Sequence, residues 1–232
     1  MNLSCESILE GQLLLLDKPL EWSSFQVVNK VRWTLKKKYH LKKLKVGHAG
    51  TLDPLASGLL LLCTGKMTKK ISEFQALKKS YTGTITLGAT TPSYDLETSF
   101  DKQFPIDHIT LDQLNEVKKQ FEGEIEQYPP IFSAIKKEGK RLYEYAREGE
   151  TMKIDPRKIS IYNFDLTAIN LPQINFYVKC SKGTYIRSLA HDFGKMLKSG
   201  AHLSQLRRTS IGSYGVENAL TPNQIIEKLE VL

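Results

Sequence analysis

Gly47-His48-Ala49-Gly50-Thr51-Leu52-Asp53-Pro54-Leu55-Ala56-Ser57-Gly58 is the stretch on which the reading of this chain turns. Three glycines and a proline in twelve residues predict an ordered loop. Glycine supplies backbone angles closed to other residues, and proline fixes its own. The apolar run Leu59–Cys63 follows, and Leu13–Leu16 is a second strand-like run upstream. A carboxylate on a rigid loop between apolar strands can be immobilised and partly desolvated, which raises its basicity and nucleophilicity. The same letters also describe an ordinary Asp-Pro turn at Asp53 and an ordinary loop histidine at His48.

Working outward, Lys18-Pro19 breaks the first strand, and Ser23 and Gln26 have capping-box spacing. Val27, Val28, Val31 and Leu35 then give a helical stripe. From Lys30 to Lys45 there are eight basic residues and no acidic one. Lys79–Leu87 is β-rich, with a turn cluster at Gly88–Tyr94, and Thr110 and Gln113 cap a helix carrying Leu114, Val117 and Phe121. Gln127–Lys140 is irregular and proline-rich, and Arg141–Arg147 can be helical. Ile159–Ile169 and Asn175–Cys180 alternate apolar and polar residues, as half-buried strands do. Gly183 interrupts a strand that restarts at Thr184, which puts Tyr185 and Arg187 on one face. A ring and a guanidinium so arranged suit stacking on a base and pairing with a carboxylate. Leu189, Phe193, Met196 and Leu197 mark a further helix, and Thr221-Pro222 opens the last one. Helices and strands mix without strict alternation, so the expected class is α+β around a mixed or mostly antiparallel sheet.

Composition narrows the function. The 232 residues, 41% hydrophobic and 25% charged, suffice for a core as one large domain or two small ones. A net charge of +8 favours an anionic partner. No apolar run approaches the ~20 residues of a membrane span, the first residues have no signal-peptide pattern, and three cysteines make no disulfide framework. A cytoplasmic protein is expected. The five histidines show no HExxH spacing, and neither CxxC, GxxxxGK[ST], GxGxxG nor GxSxG occurs. No metal and no cofactor are therefore expected, and the reaction runs on side chains. Lys66, Lys69 and Lys70 follow the Asp53 loop, while Lys136, Lys137, Lys140 and Arg141 lie near Phe132 and Tyr143. Positive charge with interleaved aromatics fits RNA rather than a membrane.

The Gly47–Gly58 stretch closely resembles the catalytic-loop signature of the TruB family of tRNA pseudouridine synthases, GHxGTLDPxAxG. Gly11–Ser24 resembles that family's GxLxxDKPxGxTS motif, and Lys79-Ser80-Tyr81 its K-x-Y motif. Gln127–Leu142 resembles its Q-x-PPxFSAxKxxGxRxY segment, Ser181–Arg187 its SKGTYIR segment and Leu206–Thr209 its LRRT segment. The resemblance implies a long mixed sheet flanked by helices with an RNA-binding cleft across its middle. It also implies a substrate, the T-loop uridine at position 55 of tRNA, isomerised to pseudouridine. Asp53 is then the catalytic residue. Tyr81 lies against the target uracil, Tyr185 and Leu206 help form its pocket, Arg187 pairs with Asp53, and His48 enters the space left by the everted nucleotide. Lys18 and Pro19 support the loop.

Two departures from the pattern stand out. Glu21 occupies a position suited to glycine, and the TxTxD segment reads Thr90-Thr91-Pro92-Ser93-Tyr94-Asp95. Residues 1–215 are expected to form the catalytic domain and 216–232 a short tail, without the PUA-type RNA-binding domain usual in bacterial relatives. The enzyme is expected to work as a monomer on the T arm of tRNA, without metal, membrane, guide RNA or obligatory protein partner. The competing readings are a non-catalytic RNA-binding or RNA-folding protein on the same scaffold, and a guide-RNA-dependent synthase of the archaeal and eukaryotic type.

Overall fold

The structure, a computed structural model, describes residues 3–150 and 152–231. In chain order it begins with α1 (Cys5–Glu10), β1 (Leu13–Lys18), α2 (Ser24–Lys38), β2 (Val46–His48) and β3 (Ala56–Thr64). A 3-10 turn (Gly65–Lys70) leads to α3 (Ile71–Ala76), β4 (Lys79–Leu87), β5 (Ala89–Thr90) and β6 (Lys102–Gln103). Next come α4 (Leu111–Lys119), β7 (Gly123–Gln127), β8 (Lys136–Lys137), β9 (Lys140–Arg141) and α5 (Leu142–Arg147). The last elements are β10 (Arg157–Asn170), β11 (Gln173–Cys180), α6 (Ile186–Met196), β12 (Ala201–Ile211), β13 (Tyr214–Gly215) and α7 (Pro222–Val231).

The helix starts follow the side-chain caps. Gln26 N–H donates to Ser23 Oγ at 3.1 Å and Ser23 N–H to Gln26 Oε1 at 2.7 Å, which satisfies two end groups of α2 reciprocally. Thr110 and Gln113 do the same for α4, and Thr221 and Gln224 for α7. The six-residue α1 starts at a Ser4 cap and is too short to show a periodic apolar stripe in sequence.

The chain folds into two compact units, Met1–Tyr81 with Leu206–Leu232, and Thr82–Gln205. Strands β4 and β12 pass from one into the other. In the first unit the strands run β1-β3-β12, with β2 on β3 and β13 on β12. β1 is antiparallel to β3, from Leu13 opposite Cys63 to Lys18 opposite Gly58. β12 lies parallel to β3, with Leu206, Arg207 and Arg208 opposite Ala56, Ser57 and Gly58. The consecutive leucines of β3 face two ways. Leu60 and Leu62 pack with Leu14, Leu16, Val31 and Ile225, under α2 and α7. Leu59 and Leu61 pack with Ile211, Ile71 and Phe74 on the other face. Burial on both faces is why β3 reads as a continuous apolar run rather than an alternating one. Residues Ile225 and Leu229 of α7 are fully part of this core.

In the second unit the order is β12-β4-β11-β10-β7. β10 and β11 form an antiparallel hairpin from Ile161 opposite Cys180 to Asn170 opposite Gln173, and β7 pairs along the outside of β10. Phe164 meets the rings of Phe121, Phe176 and Phe193 at centroid distances of 6.3, 6.0 and 5.8 Å, so α4 and α6 seal one face of the hairpin. The parallel pairing of β12 with β3, beside antiparallel pairs such as β1–β3 and β10–β11, and helices on the faces make the fold α+β with a mixed sheet. No helix among the described residues is long and apolar enough to cross a membrane.

One element differs from the sequence reading. β11 ends at Cys180, Lys182-Gly183 turns with Gly183 at φ +82°, and α6 begins at Ile186. Tyr185 is therefore the extended residue that opens a helix, and no strand carries Tyr185 and Arg187 on a common face. The cause lies 58 residues away. Tyr185 N–H donates to Gln127 Oε1 at 2.8 Å, and Gln127 Nε2 donates to Tyr185 O at 3.0 Å. That amide takes the place of a neighbouring strand.

Candidate active site

β2 and β3 enclose an irregular loop, residues 49–55, shorter than the Gly47–Gly58 stretch of the sequence because its two ends are recruited into strands. Ala49 N–H donates to Leu61 O at 2.9 Å, and Ala56 N–H to Asp53 O at 3.1 Å. Side chains from elsewhere then grip the carbonyls of Gly50, Thr51, Leu52 and Pro54 and the amide of Leu52. Ser24 Oγ donates to Leu52 O at 3.0 Å and accepts from Leu52 N–H at 2.8 Å. Lys18, with 0% exposure, donates to Pro19 O at 2.8 Å, Trp22 O at 2.6 Å and Pro54 O at 3.4 Å. An ammonium has three donors, and each finds a carbonyl. Glu21 N–H also reaches Pro54 O, at 2.8 Å. Arg208, 1% exposed, donates to Leu59 O at 2.7 Å, Gly50 O at 3.0 Å and Thr51 O at 3.5 Å. Asp53 thus sits half-buried on a backbone fixed at positions 50, 51, 52 and 54, the pre-organisation that a reacting carboxylate needs.

Electrostatics follow from that packing. Burial pushes the Lys18 ammonium down to about 8, opposed by the Asp53 carboxylate and assisted by Arg208. His48, on β2, is held below its usual value chiefly by burial, with the Gly50 backbone opposing and Arg208 adding to the effect. It is neutral at pH 7, and its buried Nδ1 has no hydrogen-bond partner. The neighbouring Arg207 turns the other way and grips Asp17 with both terminal nitrogens, at 3.0 and 2.7 Å. Leu206 stands opposite Ala56 at the loop's exit, half-buried. Tyr81, 8% exposed, is on β4 in the same unit. Glu21 has φ +65°, so the position that the sequence pattern marks for glycine does adopt the left-handed conformation.

In the second unit, Tyr185 is fixed through Gln127, and its ring lies 5.5 Å from the Arg157 guanidinium. Arg187 is buried, and its Nε lies 3.6 Å from Asp95 Oδ2. It also donates to Ser93 O at 3.2 Å and Phe132 O at 2.9 Å. Asp95 accepts from Glu97 N–H at 3.0 Å, so the divergent Thr90–Asp95 segment still delivers a buried carboxylate to Arg187. One helical turn further on, His191 stacks on Tyr94 with centroids 3.9 Å apart and planes at 18°. Asp192 beside it is pushed up to about 6 by burial.

The ordered loop was readable from glycine and proline spacing, and Asp53 was singled out through the resemblance of the Gly47–Gly58 stretch. Ser24, Gln127 and Arg208 were not singled out as site residues, because each acts on backbone carbonyls or amides that sequence does not display. Their signals are their places at the end of the Gly11–Ser24 motif, at the start of the Gln127–Leu142 segment and in the LRRT segment. Among the described residues no group of three or more His, Cys, Asp or Glu could hold a metal.

Residues 36–186 match the family model described as TruB family pseudouridylate synthase, N-terminal domain, and residues 187–231 that of the tRNA pseudouridylate synthase B C-terminal domain. A Flavobacterium johnsoniae protein named tRNA pseudouridine synthase B is 62% identical over 97% of this chain and 99% of its own length. One of the same name from Phocaeicola vulgatus is 51% identical, covering 95% of this chain and 94% of its own. Among solved structures, an H/ACA ribonucleoprotein bound to a substrate RNA containing 2′-deoxyuridine aligns with a TM-score of 0.67 and 29% identity over 95% of this chain. The alignment spans 53% of that protein's chain. A pinned aspartate loop, an arginine buried beneath it, and relatives alike from end to end lead to one assignment: this chain belongs to the TruB family of pseudouridylate synthases.

Proposed function

We propose that this chain isomerises a uridine of tRNA to pseudouridine, acting on the T-loop uridine at position 55, with Asp53 as the catalytic carboxylate. The observation that carries the reading is the immobilised Asp53 loop, gripped by Lys18, Ser24 and Arg208. A binding protein has no need of so rigid a carboxylate.

The chemistry explains the demand. A uridine stacked in an RNA loop hides its glycosidic bond, so it is everted before reaction. The N1–C1′ bond breaks, uracil turns in place, and C5 bonds to C1′. The C5 hydrogen leaves as a proton and N1 gains one, so nothing is added overall. A carboxylate serves either by stabilising or deprotonating the ribose as oxocarbenium character develops, or by attacking carbon directly. Both routes need it held within a fraction of an ångström. In this reading Tyr81, Tyr185 and Leu206 attend the uracil and neutral His48 the space it vacates. Arg187 keeps its orientation through Asp95. The enzyme acts as a cytoplasmic monomer without metal, guide RNA or protein partner, its catalytic machinery lying within residues 1–215.

Tritium release tests this directly. An unmodified tRNA transcript labelled at C5 of uridine is incubated with wild type and with Asp53→Asn. One labelled site should empty with wild type and none with the variant. A wild-type chain that binds the transcript without releasing label would sink the isomerase reading and leave an RNA-binding scaffold.

A further inference from the structure

The outer face of α2 takes no part in the site described above. Val27, Val28, Val31 and Leu35 form its buried stripe. At about 100° per residue, Phe25, Asn29, Arg32, Trp33, Lys36 and Lys37 fall on the opposite arc. Two large rings are left in solvent there, Phe25 at 63% and Trp33 at 60% exposure. Trp33 stands among cations. Lys37 Nζ lies 5.1 Å from the centroid of the Trp33 ring, and Arg32 is steadied by donating to Asn29 Oδ1 at 2.6 Å. No acidic residue occurs anywhere in α2. The N-terminal residue of this helix is Ser24, which is bonded to Leu52 of the catalytic loop. At 1.5 Å per residue, Trp33 stands about 14 Å along the axis from that anchor.

We propose that this face of α2 is a contact track for the substrate RNA. Trp33 is a stacking platform for an unpaired base, and Lys30, Arg32, Lys36 and Lys37 neutralise the phosphates beside it. The proposal rests on the function above and adds a second place where the RNA is gripped. Charge selects the occupant, because a wholly basic face with interspersed rings matches a polymer that offers an anion and a flat π-face in every nucleotide. A membrane surface would call for a broader apolar stripe than two rings eight residues apart.

The test uses the full chain and an unmodified tRNA transcript, titrated by fluorescence anisotropy over a range of salt. Trp33→Ala should raise Kd about tenfold, within the span of one base–aromatic stack, and Trp33→Phe should restore most of it. Lys37→Ala should lower the slope of log affinity against log salt by about one. The single-turnover rate at saturating enzyme should stay the same in all three. A Trp33→Ala Kd within twofold of wild type overturns the proposal, as does a fall in the saturated rate, which would make Trp33 a support of the catalytic loop. So does loss of self-association by sedimentation with RNA affinity unchanged, which would identify a second copy as the occupant. If wild type binds the transcript but releases no tritium, the isomerase reading fails while the Kd comparison still judges the track. If wild type does not bind it, both fail.

Discussion

Replacing Arg208 by lysine keeps the buried positive charge and removes the fork. Arg208 serves two sets of acceptors at once, Leu59 O through Nε at 2.7 Å, and Gly50 O and Thr51 O through its terminal nitrogens at 3.0 and 3.5 Å. A lysine brings one nitrogen on a flexible stem, so it can serve the strand carbonyl or the loop carbonyls but not both. A hydrogen bond from a charged donor contributes a net ~1.5–3 kcal/mol, and the acceptors left behind are buried at Leu59 or part-buried at Gly50 and Thr51, so a loss of about 3 kcal/mol is expected. At about 2–4 °C per kcal/mol for a chain of this size, Tm should fall by about 6–12 °C. Urea unfolding, followed by the fluorescence of Trp22 and Trp33, measures the free energy directly. The same variant should lose single-turnover tritium release, because Gly50 and Thr51 lead the backbone into the aspartate. An Arg208→Lys chain within about 1 kcal/mol of wild type would refute the reasoning, since the two-sided grip would then be worth no more than one bond.

Three further outcomes follow from the same geometry. Glu21→Gly should stabilise by about 0.5–1 kcal/mol in urea, because φ +65° is free to glycine and strained for glutamate, while the backbone bond to Pro54 is kept; a destabilised variant would refute the strain. Lys18 sits near pKa 8 in the fold against 10.5 unfolded, so its contribution is fully present above pH 10.5 and is lost as pH falls through 8. Wild type should therefore gain up to about 1.4 kcal/mol per pH unit over that window relative to Lys18→Met, and parallel urea profiles for the two would count against it. Asp95→Asn removes the carboxylate 3.6 Å from the buried Arg187 guanidinium and should cost about 1–3 kcal/mol, and less in an Arg187→Met background. Simple additivity of the two substitutions would show that they are not paired.

Local grammar carried the sequence a long way. Ser23 and Thr110 announced two helices because a cap is a contact between residues three apart, and Pro222 announced a third because proline suits a first helical turn. The leucines of β1 and β3 announced buried strands, and the glycines around Asp53 an ordered turn. What escaped was every decision made across long separations. Tyr185 opens a helix because Gln127, far off in the chain, takes both of its backbone groups. Arg208 is indistinguishable in sequence from Arg207, yet one is buried under the loop and the other grips Asp17. Asp95 could not be matched to Arg187 until the Thr90–Asp95 segment was seen against α6. Glu21 shows the reverse case, in which the pattern correctly marked a left-handed position although the residue there is the wrong type for it.

The all-leucine character of β3 carries a hidden cost in alignment. A strand that is oily on both sides can slide by one residue and still bury every side chain, so its own composition does not say where it should stop. Two glycines act as the end-stops. A β-carbon on Gly58 would lie 2.3 Å from Arg208 O, and one on Gly65 would lie 2.1 Å from Leu9 O. Any other residue arriving at either place by a slip would collide with backbone. Asp53, in the loop five residues before the first stop, is thereby set in position relative to the strand by the absence of two side chains.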